Sequence, residues 1–271
     1  VRTLYGVNPV RELLRAGGEG LSELWLVEGG TRGRAFQELD RLARSAGAKV
    51  RTAPRQKLER LAGTANHQGV VAVVGDYRYR EVEDLLAAAA QKGEPPLLVL
   101  LDGVEDPHNL GAIVRSAHAL GAHGVVIPRD RAVGVTPAAA KASAGAVEHC
   151  PVARVTNLSQ AILGLKDSGV WSVATAADAG RSLEELDLTG AIALVVGGEG
   201  EGIRPLVRRS CDLEARVPMA GEVGSLNASA AAAIALYEAV RQRRARTGRQ
   251  GGPEGAKPKA NEPLDKGPGV V

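Results

Sequence analysis

The chain has 271 residues, 44% of them apolar, and a formal net charge of +3. That length builds one large domain or two ordinary ones, and so small a charge cannot by itself name an anionic partner. No stretch approaches the roughly 18 apolar residues of a membrane helix, and the beginning of the chain has no signal-peptide pattern. Cys150 and Cys211 show no metal-ligand spacing, nor do the five histidines, so no metal, no membrane partner and a reduced, cytoplasmic setting are expected. With aromatics at 3%, the cores must rest on Leu, Val and Ala.

In chain order, Leu4 to Arg15 reads as a short helical segment, with Val7, Val10, Leu13 and Leu14 free to pack. Leu24 to Val27 reads as a strand closed by Gly29 and Gly30, and Ala35 to Ala46 as a helix whose Phe36, Leu39, Leu42 and Ala43 form one stripe. Lys49 to Thr52 fits a brief strand, Gln56 to Leu61 a brief helix, and Val70 to Val74 another strand. Residues 1–76 therefore form a small alternating α/β unit. His67, between Asn66 and Gln68, is either an RNA contact or a loop residue bonded locally. Arg32, Arg34, Arg51 and Arg55 are either a basic patch or scattered surface arginines. Residues 77–94 read as a connection bearing a helix, ended by Gly93 and Pro95-Pro96.

The second unit, 95–247, begins with Leu97-Leu98-Val99-Leu100-Leu101, the signature of a strand buried on both faces. A polar loop from Asp102 to Asn109 follows. Apolar residues then return at helical spacing, Leu110, Ile113, Val114, Ala117 and Leu120, before Gly121 and a strand at Val125 to Ile127. In an open parallel sheet such a loop, with Asp102, Glu105, Asp106, His108 and Asn109, lies where ligands bind. Thr136-Pro137 suits a helix cap and first helical residue. Val152 to Val155 and Val170 to Ala174 read as strands, Leu158 to Lys166 as a helix capped by Asn157, and Ser182 to Glu185 as a capped turn.

Ala191 to Val196 is a further buried strand that runs into Gly197-Gly198-Glu199-Gly200-Glu201-Gly202. The glycines permit close backbone approach and positive φ, so the run is either a ligand-cradling loop or a flexible turn. It has neither the Lys-Ser/Thr ending of a Walker loop nor dinucleotide-type glycine spacing. A third polar island, Pro218 to Ser229, leads into a helix from Ala230 to Val240 that Ser225 or Asn227 could cap. Met219 and Leu226 either line a pocket or close a core. Arg241, Arg243, Arg244 and Arg246 either reach RNA or serve the helix C-terminus. Residues 248–271, rich in Gly, Pro and Lys, are expected to be a disordered tail.

The three islands LDGVEDPHNLGAIVRSA, LVVGGEGEGI and VPMAGEVGSLNASAAAAIALYE together resemble, in order and spacing, the motifs of the SpoU/TrmH family of RNA ribose 2'-O-methyltransferases. The beginning, YGVNPVRELL and NHQGVVAVV, is similar to the extra RNA-binding domain of one branch, which includes a bacterial enzyme acting on a guanosine of 23S ribosomal RNA. The resemblance implies an α/β protein with a SPOUT-type catalytic domain bearing a C-terminal deep trefoil knot, preceded by a small L30e-like domain. It implies S-adenosylmethionine as methyl donor, RNA (most of all 23S rRNA) as partner, and a homodimer with the active site near the subunit interface. Carried onto this chain, it assigns Asn109, Arg115, Glu199, Ser225 and Asn227 to catalysis. It gives cofactor binding to Gly198, Glu199, Gly200, Gly202, Val217, Pro218, Met219, Ser225, Leu226 and Asn227, and RNA binding to Arg32, Arg34, His67 and Arg115. Residues 203–218 are implied to thread or border the knot.

The implied central role of Arg115 is chemically awkward for a general base, because a guanidinium has a pKa of about 12.5–13.8. Its planar fork suits gripping a phosphate and orienting the hydroxyl equally well. A methyltransferase acting on tRNA, one acting on an adenosine of 23S rRNA to confer antibiotic resistance, and a non-catalytic RNA-binding or ribosome-assembly protein are the competing expectations.

Overall fold

The computed structural model describes residues 1–29, 33–222 and 224–251. Residues 1–74 form a four-stranded mixed sheet with helices: β1 (Arg2–Tyr5), α1 (Val7–Arg15), β2 (Leu21–Val27), α2 (Arg34–Ser45), β3 (Lys49–Ala53), α3 (Arg55–Ala62) and β4 (Val70–Val74). The strand order is β1-β4-β2-β3, with β4 antiparallel to both neighbours and β2 parallel to β3. The expected helix from Leu4 is corrected here. Leu4 pairs with Ala72 in β1, and the helix starts only at Val7, because Gly6 at φ 95° breaks the strand. Its four apolar residues could not by themselves reveal that the residues ahead of them complete a sheet.

Residues 77–94 do not hang free. Arg80 pairs with Ala153 beyond the edge of the second sheet, its N–H donating to the Val152 carbonyl at 3.0 Å, and α4 (Val82–Gln91) packs against that edge. The second sheet then assembles from β5 (Leu97–Asp102), α5 (Pro107–Ala119), β6 (Gly124–Pro128), α6 (Pro137–Ala142), β7 (Val152–Val155), α7 (Leu158–Asp167), β8 (Trp171–Thr175), β9 (Ile192–Gly197), α8 (Pro205–Ser210), β10 (Leu213–Ala215) and α9 (Ala228–Gly251). All its pairings are parallel, in the order β10-β8-β9-β5-β6-β7.

Alternation along β5 explains the layering. Leu97, Val99 and Leu101 point into a core shared with α5, α6 and α9, while Leu98 and Leu100 point into a second core with α4, α7 and α8. Every residue of β5 is buried, as an unbroken apolar run requires, and each such leucine contributes about 1.5–3 kcal/mol. The first unit docks on the α6 side of this sandwich through Arg2–Glu148 at 3.3 Å and Glu12–His149 at 2.9 Å.

Boundaries differ from the sequence reading at both ends of the key elements. Helix α5 starts at Pro107 with the Asp106 carboxylate capping His108 N–H, so Asn109 lies in the first helical turn instead of the loop. Helix α9 runs on to Gly251 through a segment rich in Arg and Gln, both good helix formers, and so overlaps the start of the expected tail. Residues 252–271 lie outside the described residues.

Candidate active site

The C-terminal ends of β5, β9 and β8 meet where successive strands depart to opposite sides of β5 and β9, the point at which parallel sheets bind ligands. Asp102 ends β5 with its carboxylate fully buried. It accepts from Arg204 N–H at 2.8 Å and from Arg204 Nε at 2.8 Å, and its carbonyl accepts from Gly198 N–H at 2.7 Å. These bonds raise the Arg204 pKa above the ordinary guanidinium value and fix both ends of the glycine run. Within the run, Gly198 bridges Gly202. A Cβ on Gly197 would overlap the Gly202 backbone, and one on Gly198 would overlap the Gly103 carbonyl. The two glycines are therefore needed for contact between chain segments, and Gly200 and Gly202 for φ values of 93° and 65°.

Around this turn lie two adjoining cavities. The first, of 360 Å³, has walls from Thr175, Ala176 and Ala177 at the end of β8, from Val196 to Gly198 and Gly202 to Ile203, and from Val217, Met219, Ser225, Leu226 and Ala228. The second, of 730 Å³, is lined by Gly103 to Asp106, Asn109, Arg131, Glu199 and Arg204. Gly198, Glu201 and Gly202 border both. At the second cavity the three islands meet in one hydrogen-bonded cluster. Asn109 Nδ2 donates to Glu199 Oε1 at 3.1 Å, and Asn227 Nδ2 donates to the same oxygen at 2.6 Å and to Asn109 Oδ1 at 2.9 Å. Asn227 Oδ1 meanwhile accepts from the Ser229 N–H and hydroxyl, at 2.9 and 2.6 Å, capping α9. Asn227 thus both caps α9 and joins the Asn109–Glu199 cluster, while Ser225 lines the first cavity.

The expected residues divide accordingly. Gly198, Gly202, Val217, Met219, Ser225 and Leu226 line the first cavity; Glu199 and Asn109 line the second, and Gly200, Pro218 and Asn227 line neither. Arg115 is exposed on α5 and lines neither cavity. It stands six residues past Asn109, roughly 9 Å along the helix and about 120° around it. Among the described residues its side chain has no hydrogen bond or ion pair. Sequence reasoning missed the wall from Thr175 to Asp178 and the anchor Asp102–Arg204. The rule that strand ends carry ligands could have found the first, since β8 lies next to β9. Also missed was Arg208, which joins Asp178 to Glu214 at 3.0 and 2.6 Å beside the cavity and holds the Asp178 carboxyl below the usual range.

On the first unit, His67 is fully buried and its Nδ1 accepts from Gly69 N–H at 3.0 Å, so the local-loop reading replaces the RNA contact. Burial, then the Arg55 charge, lower its pKa below the ordinary imidazole value. Arg51 and Arg55 pair with Glu23 and Glu59, Arg34 is exposed at the start of α2, and Arg32 lies outside the described residues. Among the described residues no cluster of His, Cys, Asp or Glu could hold a metal, and no helix is long and apolar enough to cross a membrane.

The first cavity suits a nucleoside-bearing molecule. Its volume falls within the range for small-molecule sites, and Val217, Met219 and Leu226 supply apolar surface. Comparison with known proteins agrees. The chain is 43% identical over 245 residues to the 23S rRNA (guanosine-2'-O-)-methyltransferase RlmB of Coxiella burnetii, covering 90% of this chain and 97% of that protein. It is 42% identical over 241 residues to RlmB of Shewanella oneidensis, covering 89% and 97%. The crystal structure of the SpoU methyltransferase AviRb from Streptomyces viridochromogenes, in complex with the cofactor AdoMet, superposes with a TM-score of 0.75 at 27% identity, over 90% of each chain. The RNA 2'-O ribose methyltransferase substrate binding family matches residues 3–80. With the SpoU rRNA Methylase family matching residues 96–237, the chain belongs to that family.

Proposed function

We propose that this protein methylates the ribose 2'-hydroxyl of a guanosine in 23S rRNA, in the cytoplasm, during ribosome biogenesis. The observation that carries the reading is the hydrogen-bonded cluster of Asn109, Glu199 and Asn227 at a wide polar cavity that shares Gly198, Glu201 and Gly202 with a nucleoside-sized one. S-adenosylmethionine supplies an electrophilic methyl group, to which the ribose 2'-oxygen bonds as the sulfur–carbon bond breaks. Val217, Met219, Ser225 and Leu226 would hold the donor, beside the glycine turn whose Gly198 and Gly202 border both cavities. Asn109 and Asn227 both donate to Glu199 Oε1, and among the described residues Oε2 has no donor, so it can accept from the incoming nucleotide. The task of these residues is alignment and exclusion of water, the contribution that dominates when two bound reactants meet in line.

Arg115 completes the site from a second copy of the chain. Ile234 and Tyr237 form an exposed apolar stripe along α9, which packs beside α5, the helix whose exposed face presents Arg115. A homodimer through this face buries the stripe and brings the fork of Arg115 to the neighbouring cavity. There it grips a phosphate of the substrate, whose oxygen takes the 2'-proton as the ribose oxygen bonds to the methyl group.

Residues 1–76 act as an L30e-like substrate-binding unit and 95–247 as the catalytic unit, with 77–94 between them. The trefoil knot is supported by the path after β9. The chain forms β10 beside β8 and pairs Arg216 with Ser182, then returns for α9 to pack on β9 and α5. A backbone trace that reduces to an unknotted curve rejects it. The function is tested by incubating the protein with unmodified 23S rRNA, tRNA and labelled S-adenosylmethionine, then mapping 2'-O-methylation by nucleotide. One 2'-O-methylguanosine in 23S rRNA is expected. Methylation of tRNA alone, of an adenosine, or of nothing refutes the reading.

A further inference from the structure

Beyond the two cavities of the active site lies a third, of 300 Å³, at the ends of β6 and β7, with walls that include Asp130, Arg131, Thr156, Asn157, Ser159 and Arg204. Arg131 and Arg204 also line the cavity that holds Asn109 and Glu199, so the two spaces share a wall. The charge of Arg204 is already matched by Asp102. Arg131 is exposed, and among the described residues it has no acidic partner.

The opposite wall is the first turn of α7, a helix of 10 residues. Asn157 Oδ1 takes the Gln160 N–H at 3.2 Å, which leaves the Leu158 and Ser159 N–H groups without intrahelical acceptors. Ser159 is only 6% exposed, yet among the described residues its hydroxyl has no hydrogen-bond partner, and it lines the cavity. The unused polar groups here, two N–H groups, a guanidinium and a hydroxyl that can turn its proton outward, are all able to donate. Asp130 on the rim is the one carboxylate among the lining residues named above that lacks a cationic partner.

We propose that this cavity binds a phosphodiester of the substrate RNA that flanks the nucleotide being methylated, held by Arg131, Ser159 and the N-terminus of α7. The proposal rests on the RNA-methylation reading, and its chemistry is that of a phosphate ester accepting hydrogen bonds at a helix start. Continuity with the cavity of Asn109 and Glu199 selects a strand that passes through both.

The test measures binding of the intact protein to a 23S rRNA fragment as a function of salt, independently of methyl transfer. Ser159→Asp places a carboxylate in the first turn of α7, where the helix favours it, so the melting temperature is kept while a phosphate is repelled. It should weaken RNA binding about tenfold and raise KM for RNA, with S-adenosylmethionine affinity and kcat at saturating RNA unchanged. Arg131→Gln should weaken binding and reduce the slope of log K against log salt by about 0.7, and Asp130→Asn should strengthen binding. Wild-type RNA affinity and slope in both Ser159→Asp and Arg131→Gln overturn the proposal. So does loss of stabilisation by inorganic phosphate in these variants with RNA affinity intact, which would make the cavity a site for free anions. Failure of the wild-type protein to methylate any RNA would instead sink the earlier reading, because the binding measurement does not depend on it.

Discussion

Replacing Gly198 with alanine probes the architecture of the site most directly. The added Cβ would lie closer than 3.0 Å to the Gly103 carbonyl oxygen, a backbone atom that cannot swing aside. Restoring an ordinary C···O contact of roughly 3.3–3.6 Å means separating the turn after β9 from the start of the β5–α5 loop. That movement strains the 2.7 Å bond from Gly198 N–H to the Asp102 carbonyl and shifts the wall common to both cavities. Overpacking of this kind costs about 1–3 kcal/mol. If most of it falls on the bound geometry, S-adenosylmethionine affinity drops by roughly 10- to 100-fold. Calorimetric titration with S-adenosylmethionine, beside thermal unfolding, reads both effects. Gly190→Ala is the control, since nothing lies within 4 Å of its Cβ and its φ is not positive. Gly200→Ala is the contrast: its Cβ meets nothing, but its φ of 93° makes the substitution cost about 1–2 kcal/mol through backbone strain alone. Wild-type cofactor affinity in Gly198→Ala would refute the claim that contact between the two loops shapes the cavity.

Other perturbations separate stability from chemistry. Glu199→Gln keeps the size of the side chain but removes the charge that Asn109 and Asn227 address; kcat should fall about a hundredfold with cofactor affinity within twofold, read by single-turnover methyl transfer. Asp102→Asn leaves Arg204 without its buried carboxylate and should cost about 2–4 kcal/mol, seen as a lower denaturant midpoint. Burial pushes the Cys150 thiol up from 9.0 to about 12. Because the folded value is the higher one, this contribution to stability is fully present below pH 9 and is lost as pH rises toward 12. The fall in melting temperature across that window should be smaller in Cys150→Ala, and an equal fall in both proteins would show that the thiol is not the group responsible.

The sequence made local structure legible wherever one residue or run decides it. Leu97 to Leu101 fits a strand buried on both faces and forms one, and Thr136, Asn157 and Asn227 cap the helices they precede. Elements missed were those whose stability comes from distant neighbours. β1 exists because β4 offers it an edge, and the three residues of β10 are held by β8, not by any pattern of their own. The turn at 197–202 was recognisable as a place of close approach, but not what it approaches. Gly103 is nearly a hundred positions away in the chain, and only the β5–β9 pairing puts the two loops side by side.

The same logic explains why the site residues were easier to name than to place. Asn109, Glu199 and Asn227 lie in three separate segments, yet each follows or opens an element whose end is fixed by the sheet: α5 after β5, the turn after β9, and α9 packed against both α5 and β9. Once β5 and β9 are neighbours, the three amide and carboxylate groups have little choice but to meet, and their mutual bonds of 2.6–3.1 Å need no further device. Arg115 has no such constraint. It sits mid-helix on an exposed face, where one chain offers it no partner among the described residues, so its position is completed by whatever covers that face. On the function proposed above, the catalytic geometry divides into a part that folding of one chain enforces and a part that association supplies. A covalently enforced monomer should retain S-adenosylmethionine in the first cavity while losing methyl transfer, and transfer at the wild-type rate by such a monomer would show that Arg115 acts within its own chain.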